Sequence, residues 1–125
     1  MKTKNIKENK LKNFIKSFKY AIDGICLSIK VERNVKIHII IMFLVIIAGF
    51  IFKINKYEWI ACIVCFAIVI GGELFNTAIE RIVNVIIPYK DDKAKNIKDI
   101  SAGAVLVLAI GAFIIGLIIF VPKIF

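Results

Sequence analysis

A chain of 125 residues that is 60% hydrophobic, with a mean hydropathy of +0.86 and only two prolines, is one unit and too apolar for an ordinary soluble domain. Its net charge of +9 comes without the aromatic platform or recognition helix that nucleic-acid binding uses, so the excess of lysine reads as attraction to anionic lipid.

The opening stretch, "MKTKNIKENKLKNFIKSFK", is basic and broken up where a signal peptide would carry its apolar core, and no small-residue cleavage site follows; it is expected to stay on the mature protein. Residues 1–9 read as a basic tail. Across 10–31, Leu11, Phe14, Ile15, Phe18, Ile22, Ile25 and Ile29 recur at helical spacing, with Lys10, Lys12, Lys16 and Lys19 around the other face. This pattern predicts an amphipathic helix lying in a membrane interface.

Three apolar runs then follow, at 35–52, 57–87 and 100–121, each near or above the roughly 20 residues that a spanning helix needs. The expected fold is therefore an all-α integral membrane protein forming a single domain over 1–125, with a surface helix and three transmembrane helices. Ten Lys or Arg residues precede or enter the first run, two stand in the 53–58 turn, and four stand in the 88–99 connection. That distribution puts the N-terminus and the second connection in the cytoplasm. Cys62 and Cys65 lie one helical turn apart in an apolar run with no second pair, and read as packed or lipid-facing thiols. The lone His38, at the start of the first run, reads as an interfacial or packing residue and is given no role.

The second run ends in "GGELFNTAIERIVN", residues 71–84, where polar groups are costly. At about 100° per residue, Glu73, Asn76, Thr77, Glu80 and Asn84 share a sector about 100° wide, while Leu74, Ile79, Ile82 and Val83 are expected to face hydrocarbon. Glu80 lies about 10 Å nearer the cytoplasm than Glu73 at roughly 1.5 Å per residue. The deeper carboxylate suits a proton acceptor better than a permanently charged strut. Glu32, Lys98 and Asp99 reach the same interface from the beginnings of the first and third runs. Glu32, Glu80 and Asp99 are then candidate oxygen ligands, Lys98 a cation, Asn76 a hydrogen-bonding amide and Glu73 a base. Such a set fits Mg²⁺-assisted phosphoryl transfer. A polar network that glues helices, or an ion relay, fits the spacing as well. Gly71 and Gly72, with Ser101 to Ala104, allow close helix approach, and three spans are too few to enclose a nucleotide, which points to a homo-oligomer. Neither a P-loop nor a G-x-G-x-x-G segment is present, so any nucleotide site has its own architecture.

The order "SFKYAIDG", "VERNVKIH", "GELFNTAIERIVN", "AKNIKDISAGAVL" resembles the small bacterial membrane kinases of the prokaryotic diacylglycerol kinase and undecaprenol kinase group, over nearly the whole chain after residue 13. The resemblance implies a homotrimer in the bacterial inner membrane, with sites shared between subunits, open to the cytoplasm. It also implies Mg²⁺-dependent transfer of the ATP γ-phosphoryl group to a lipid alcohol. By its pattern Glu73 matches the general base, and Glu32 and Glu80 match the metal-binding glutamates. Asn76, Lys98 and Asp99 match residues around the nucleotide phosphates, and Tyr20 and Gly24 match surface-helix positions near the nucleotide. Asn84 stands where relatives have Asp, Asp91 where a His is common, and Asn13 where the diacylglycerol-specific branch has a basic residue. The "TAIE" and "AGAVL" wording looks more like the undecaprenol kinases, which makes undecaprenol the first expectation and diacylglycerol the second. A small ion channel and a noncatalytic assembly subunit are the readings from other classes.

Overall fold

The computed structural model describes residues 2–125 as four α-helices: α1 (Lys2–Val31), α2 (Arg33–Ile51), α3 (Lys56–Ile86) and α4 (Asp92–Ile124). The last three are each long and apolar enough to cross a membrane, as the hydropathy pattern predicts. The α4 helix starts earlier than its apolar run, at Asp92, so Lys95, Lys98 and Asp99 stand on its first turns. The α1 helix runs back through residues 2–9, where a basic tail was expected. No glycine or proline interrupts that stretch, and it extends a helix already nucleated downstream. Met1 of the expected tail lies outside the described residues.

The apolar face of α1 meets nothing within the protomer: Leu11, Phe14, Ile15 and Phe18 are exposed, and burial begins only at Ser28. One non-helical residue, Glu32 (φ −108°, ψ 118°), separates α1 from α2. It stands at the N-cap of α2, but its carboxylate makes no capping hydrogen bond and stays available for other work.

At the far end of α2 the chain reverses through a Schellman arrangement. Ile54 N donates to Gly49 O at 3.1 Å and Lys53 N to Phe50 O at 3.4 Å, with Lys53 in the left-handed region (φ 51°). A capping box then starts α3: Glu58 N donates to Asn55 Oδ1 at 2.9 Å, and Asn55 N to Glu58 Oε1 at 3.1 Å. The other oxygen of Glu58 takes Lys123 Nζ at 3.1 Å, tying the end of α4 to the beginning of α3. At the opposite end Asp91 accepts from Ala94 N at 3.0 Å and opens α4.

The α3 helix is central. It packs along α4 for most of its length and touches α2 and α1 on its other side. The best-buried apolar cluster, Ile54, Cys62 and Ile119 with Trp59, Phe66 and Phe120 around it, sits at the Schellman end. Both Cys62 and Cys65 are packed thiols. Polar burial is concentrated towards the other end of α3.

Gly49 is where the turn end is tightest. A Cβ there would lie 2.6 Å from Trp59 Cη2 and 2.9 Å from Cζ2, against a rigid ring rather than a flexible tip. Gly49→Ala should therefore lower the thermal unfolding midpoint in detergent, because overpacking of about 1–3 kcal/mol outweighs about 1 kcal/mol of helix propensity. The emission of Trp59, the single tryptophan, reports the change at the site of the clash.

Candidate active site

Glu73 is 3% exposed, and Asn76 and Thr77, on the next turn of α3, are 7% and 6% exposed. In lipid such groups have no water to turn to and need internal partners. Their neighbours supply most of them. Thr77 Oγ1 donates to the backbone oxygen of Glu73 at 2.9 Å, and Ser28 Oγ of α1 donates to Thr77 Oγ1 at 3.3 Å. From α2, His38 Nε2 stands 3.1 Å from Glu73 Oε1. One carboxylate-bearing turn of α3 is thus held from two other helices.

Glu32 and Glu80, both half-buried, lie close enough to Glu73 for their charges to act on it. Asn76 bridges towards Glu80, its Nδ2 donating to Glu80 Oε1 at 3.4 Å. Its own Oδ1 is buried and finds no donor among the described residues. An unpaired buried acceptor costs about 1–3 kcal/mol, and a cation or its bound water would satisfy it. Among the described residues no three His, Cys, Asp or Glu side chains converge into a closed metal cage. Two carboxylates with a neighbouring amide oxygen, the rest of the shell being open, are instead the hard, partial set that Mg²⁺ takes when phosphates complete it. The donor chemistry of these residues fits the ion.

Lys98 lines a cavity of about 540 Å³ at the α3–α4 connection, with Asn84, Tyr89, Lys90, Asp91 and Lys95. Asp99 is exposed and accepts from Lys95 Nζ at 2.6 Å, one helical turn away. Tyr20 is 67% exposed on α1, and a Cβ on Gly24, one turn further, would meet no atom within 4 Å. The protomer thus places Glu73, Asn76 and Glu80 on successive turns of α3 with Glu32 close enough for its charge to act on Glu73, Lys98 in the cavity at the α3–α4 connection, and Tyr20 and Gly24 on an open face.

Two expectations from the sequence change. Val83, expected on the lipid side of α3, is 7% exposed, because at about 100° per residue it falls only about 20° from Asn76, at the edge of the buried polar sector. His38, given no role, is the nearest charged or chargeable partner of Glu73. Its signal in the sequence was its isolation, an ionisable side chain among Ile, Val, Met and Phe.

Residues 19–120 match the family model described as prokaryotic diacylglycerol kinase. The chain belongs to that family. It is 40% identical over 115 residues to the undecaprenol kinase of Bacillus subtilis, an alignment covering 92% of this chain and 94% of that protein. It is 32% identical over 111 residues to a diacylglycerol kinase of Synechocystis, covering 88% of this chain but only 63% of that longer protein. The family match takes in every candidate residue from Tyr20 to Asp99, and His38 with them.

The hydroxyl chain behind Glu73 gives a measurable outcome. Thr77→Val leaves Ser28 Oγ buried without its acceptor and should destabilise the detergent-solubilised protein by about 1 kcal/mol. Adding Ser28→Ala should return part of the loss. The unfolding midpoints of the single and double variants check both statements.

Proposed function

We propose that this protein is an ATP- and Mg²⁺-dependent lipid kinase that phosphorylates a membrane lipid alcohol, undecaprenol first and diacylglycerol as the alternative. The observation that carries the reading is Glu73: a carboxylate 3% exposed in a spanning helix, with the charges of Glu32 and Glu80 beside it. The names of the relatives support the acceptor class, and the greater identity and fuller coverage of the undecaprenol kinase support the order of the two lipids.

In this reading Glu73 accepts the proton of the lipid hydroxyl as that oxygen attacks the γ-phosphorus, whose bond to the β,γ-bridging oxygen breaks and releases ADP. Glu32 and Glu80 hold the metal, and Asn76 and Lys98 contact the phosphates. Mg²⁺, when bound, neutralises phosphate charge and aligns the transferring group. Asp99, Tyr20 and Gly24 approach the nucleotide, and the open face of the last two suits a site completed by a neighbouring subunit of a homotrimer. The exposed apolar face of α1 suits a helix lying on the bilayer, with its lysines towards anionic headgroups. The N-terminus and the α3–α4 connection then face the cytoplasm of the bacterial cell, where ATP resides, by the lysine bias. The acceptor's tail stays in hydrocarbon throughout, and only its hydroxyl need reach Glu73.

Positioning and electrostatics supply the acceleration, since phosphoryl transfer asks for little covalent help. Detergent-purified protein should transfer labelled phosphate from ATP only with Mg²⁺, and should prefer undecaprenol when it is offered beside a diacylglycerol at equal surface concentration. Preference for diacylglycerol would reverse the order of acceptors. Labelling of neither lipid by folded protein would sink the kinase reading. Glu73→Gln should abolish turnover while ATP binding, followed with a fluorescent analogue, stays within a few-fold of the parent. Substantial remaining turnover would remove Glu73 from the role of base.

A further inference from the structure

His38 is held in an unusual position between two environments. Its Nε2 lies 3.1 Å from Glu73 Oε1, and the two side chains are 22% and 4% exposed. Its ring also edges a groove of about 400 Å³ between α2, α3 and α4, where Met42, Cys65, Phe66, Val69 and Phe113 make the rest of the wall apolar. It sits one turn beyond Val35, which is 1% exposed and the most completely buried side chain of α2. The backbone that carries the imidazole is therefore fixed where it enters the bundle.

Glu73 needs such a partner. A glutamate has three side-chain torsions, and a base that must meet a hydroxyl in one geometry loses rate if its oxygens wander. Thr77 and Ser28 act on the backbone of the Glu73 turn and leave the carboxylate free to rotate. Asn76 turns its amide nitrogen to Glu80 instead. Only the His38 ring engages a carboxylate oxygen of Glu73 among the described residues, and it engages one of the two.

We propose that His38 is the positioning residue of the site: its Nε2–H donates to Oε1 of Glu73 and fixes the carboxylate so that Oε2 is turned to the acceptor hydroxyl. The inference rests on the reading of Glu73 as the base. The His38–Glu73 hydrogen bond places an imidazole proton on Nε2 and does not engage Nδ1. Neither atom exchanges a proton with the substrate in this scheme.

The chain has one histidine, so isotopic labelling of histidine gives the signals of His38 alone. The full chain, purified without a polyhistidine tag and labelled with ¹⁵N-histidine, should show a protected Nε2–H resonance that moves or disappears in Glu73→Gln; a spectrum unchanged by that substitution overturns the proposal. This readout does not need turnover, so it decides the contact even if no lipid is phosphorylated, an outcome that would fall on the kinase reading alone. In an active preparation, His38→Leu should lower kcat by roughly ten- to a hundredfold, with KM for ATP little changed, because orientation and not nucleotide binding is lost. His38→Gln, whose amide N–H can take the same place, should recover a large part of that loss. Parental kcat in His38→Leu, or a His38→Gln no better than His38→Leu at equal thermal stability, would each overturn the positioning role while leaving Glu73 as the base.

Discussion

A carboxylate cannot be left alone in hydrocarbon, and much of this protein's arrangement follows from the need to keep Glu73 there. Desolvating a charged group costs several kcal/mol unless hydrogen bonds and counter-groups replace the lost water. An imidazole from α2 meets the carboxylate itself, and a hydroxyl pair that runs from α1 to the backbone of α3 braces the turn that carries it. This explains why α1, which lies free over most of its length, is anchored at Ser28. It also explains a division of labour along α3. The end near the Schellman turn is stabilised by apolar packing and the Glu58–Lys123 tie, and the other end accepts poorly satisfied polar groups such as Asn76 Oδ1. Stability is gathered where chemistry is not.

Much of this was legible in the sequence because two periodicities are strong. Apolar runs of the right length identify the spans, and a 100° step gathers Glu73, Asn76, Thr77 and Glu80 on one side of α3. Both signals are local to one helix, and they succeed for that reason. What was not legible depends on how helices meet. How far burial extends past the polar sector is one such matter: Val83, about 20° round the helix from Asn76, is buried, while Ile82 is exposed. The pairing of His38 with Glu73 joins residues 35 positions apart on different helices, and no spacing rule on either helix contains it. The reach of α1 back to Lys2 was missed for a simpler reason, since charged residues without glycine or proline neither require a helix nor stop one.

Local chemistry also sets where α4 begins. Asp91 accepts the Ala94 amide and starts the helix. Because α4 begins there, Lys95, Lys98 and Asp99 ride on a regular helix rather than on a loop, and Lys98 is delivered to the cavity at a fixed register. The sharp beginning of α4 is what the Asp91 cap supplies.

The joint between α1 and α2 is a single residue, and that residue is Glu32. A helix of 30 residues is a lever some 45 Å long at roughly 1.5 Å per residue. Its apolar face meets nothing within the protomer, and only its last turn is tied to the bundle, through Ser28. The one non-helical residue at the joint is Glu32, so any change of angle between α1 and α2 is taken up by its φ and ψ and works against the Ser28–Thr77 hydrogen bond. A load on the free arm of α1 thereby reaches α2 and α3 through two points, the Glu32 backbone and the Ser28 hydroxyl.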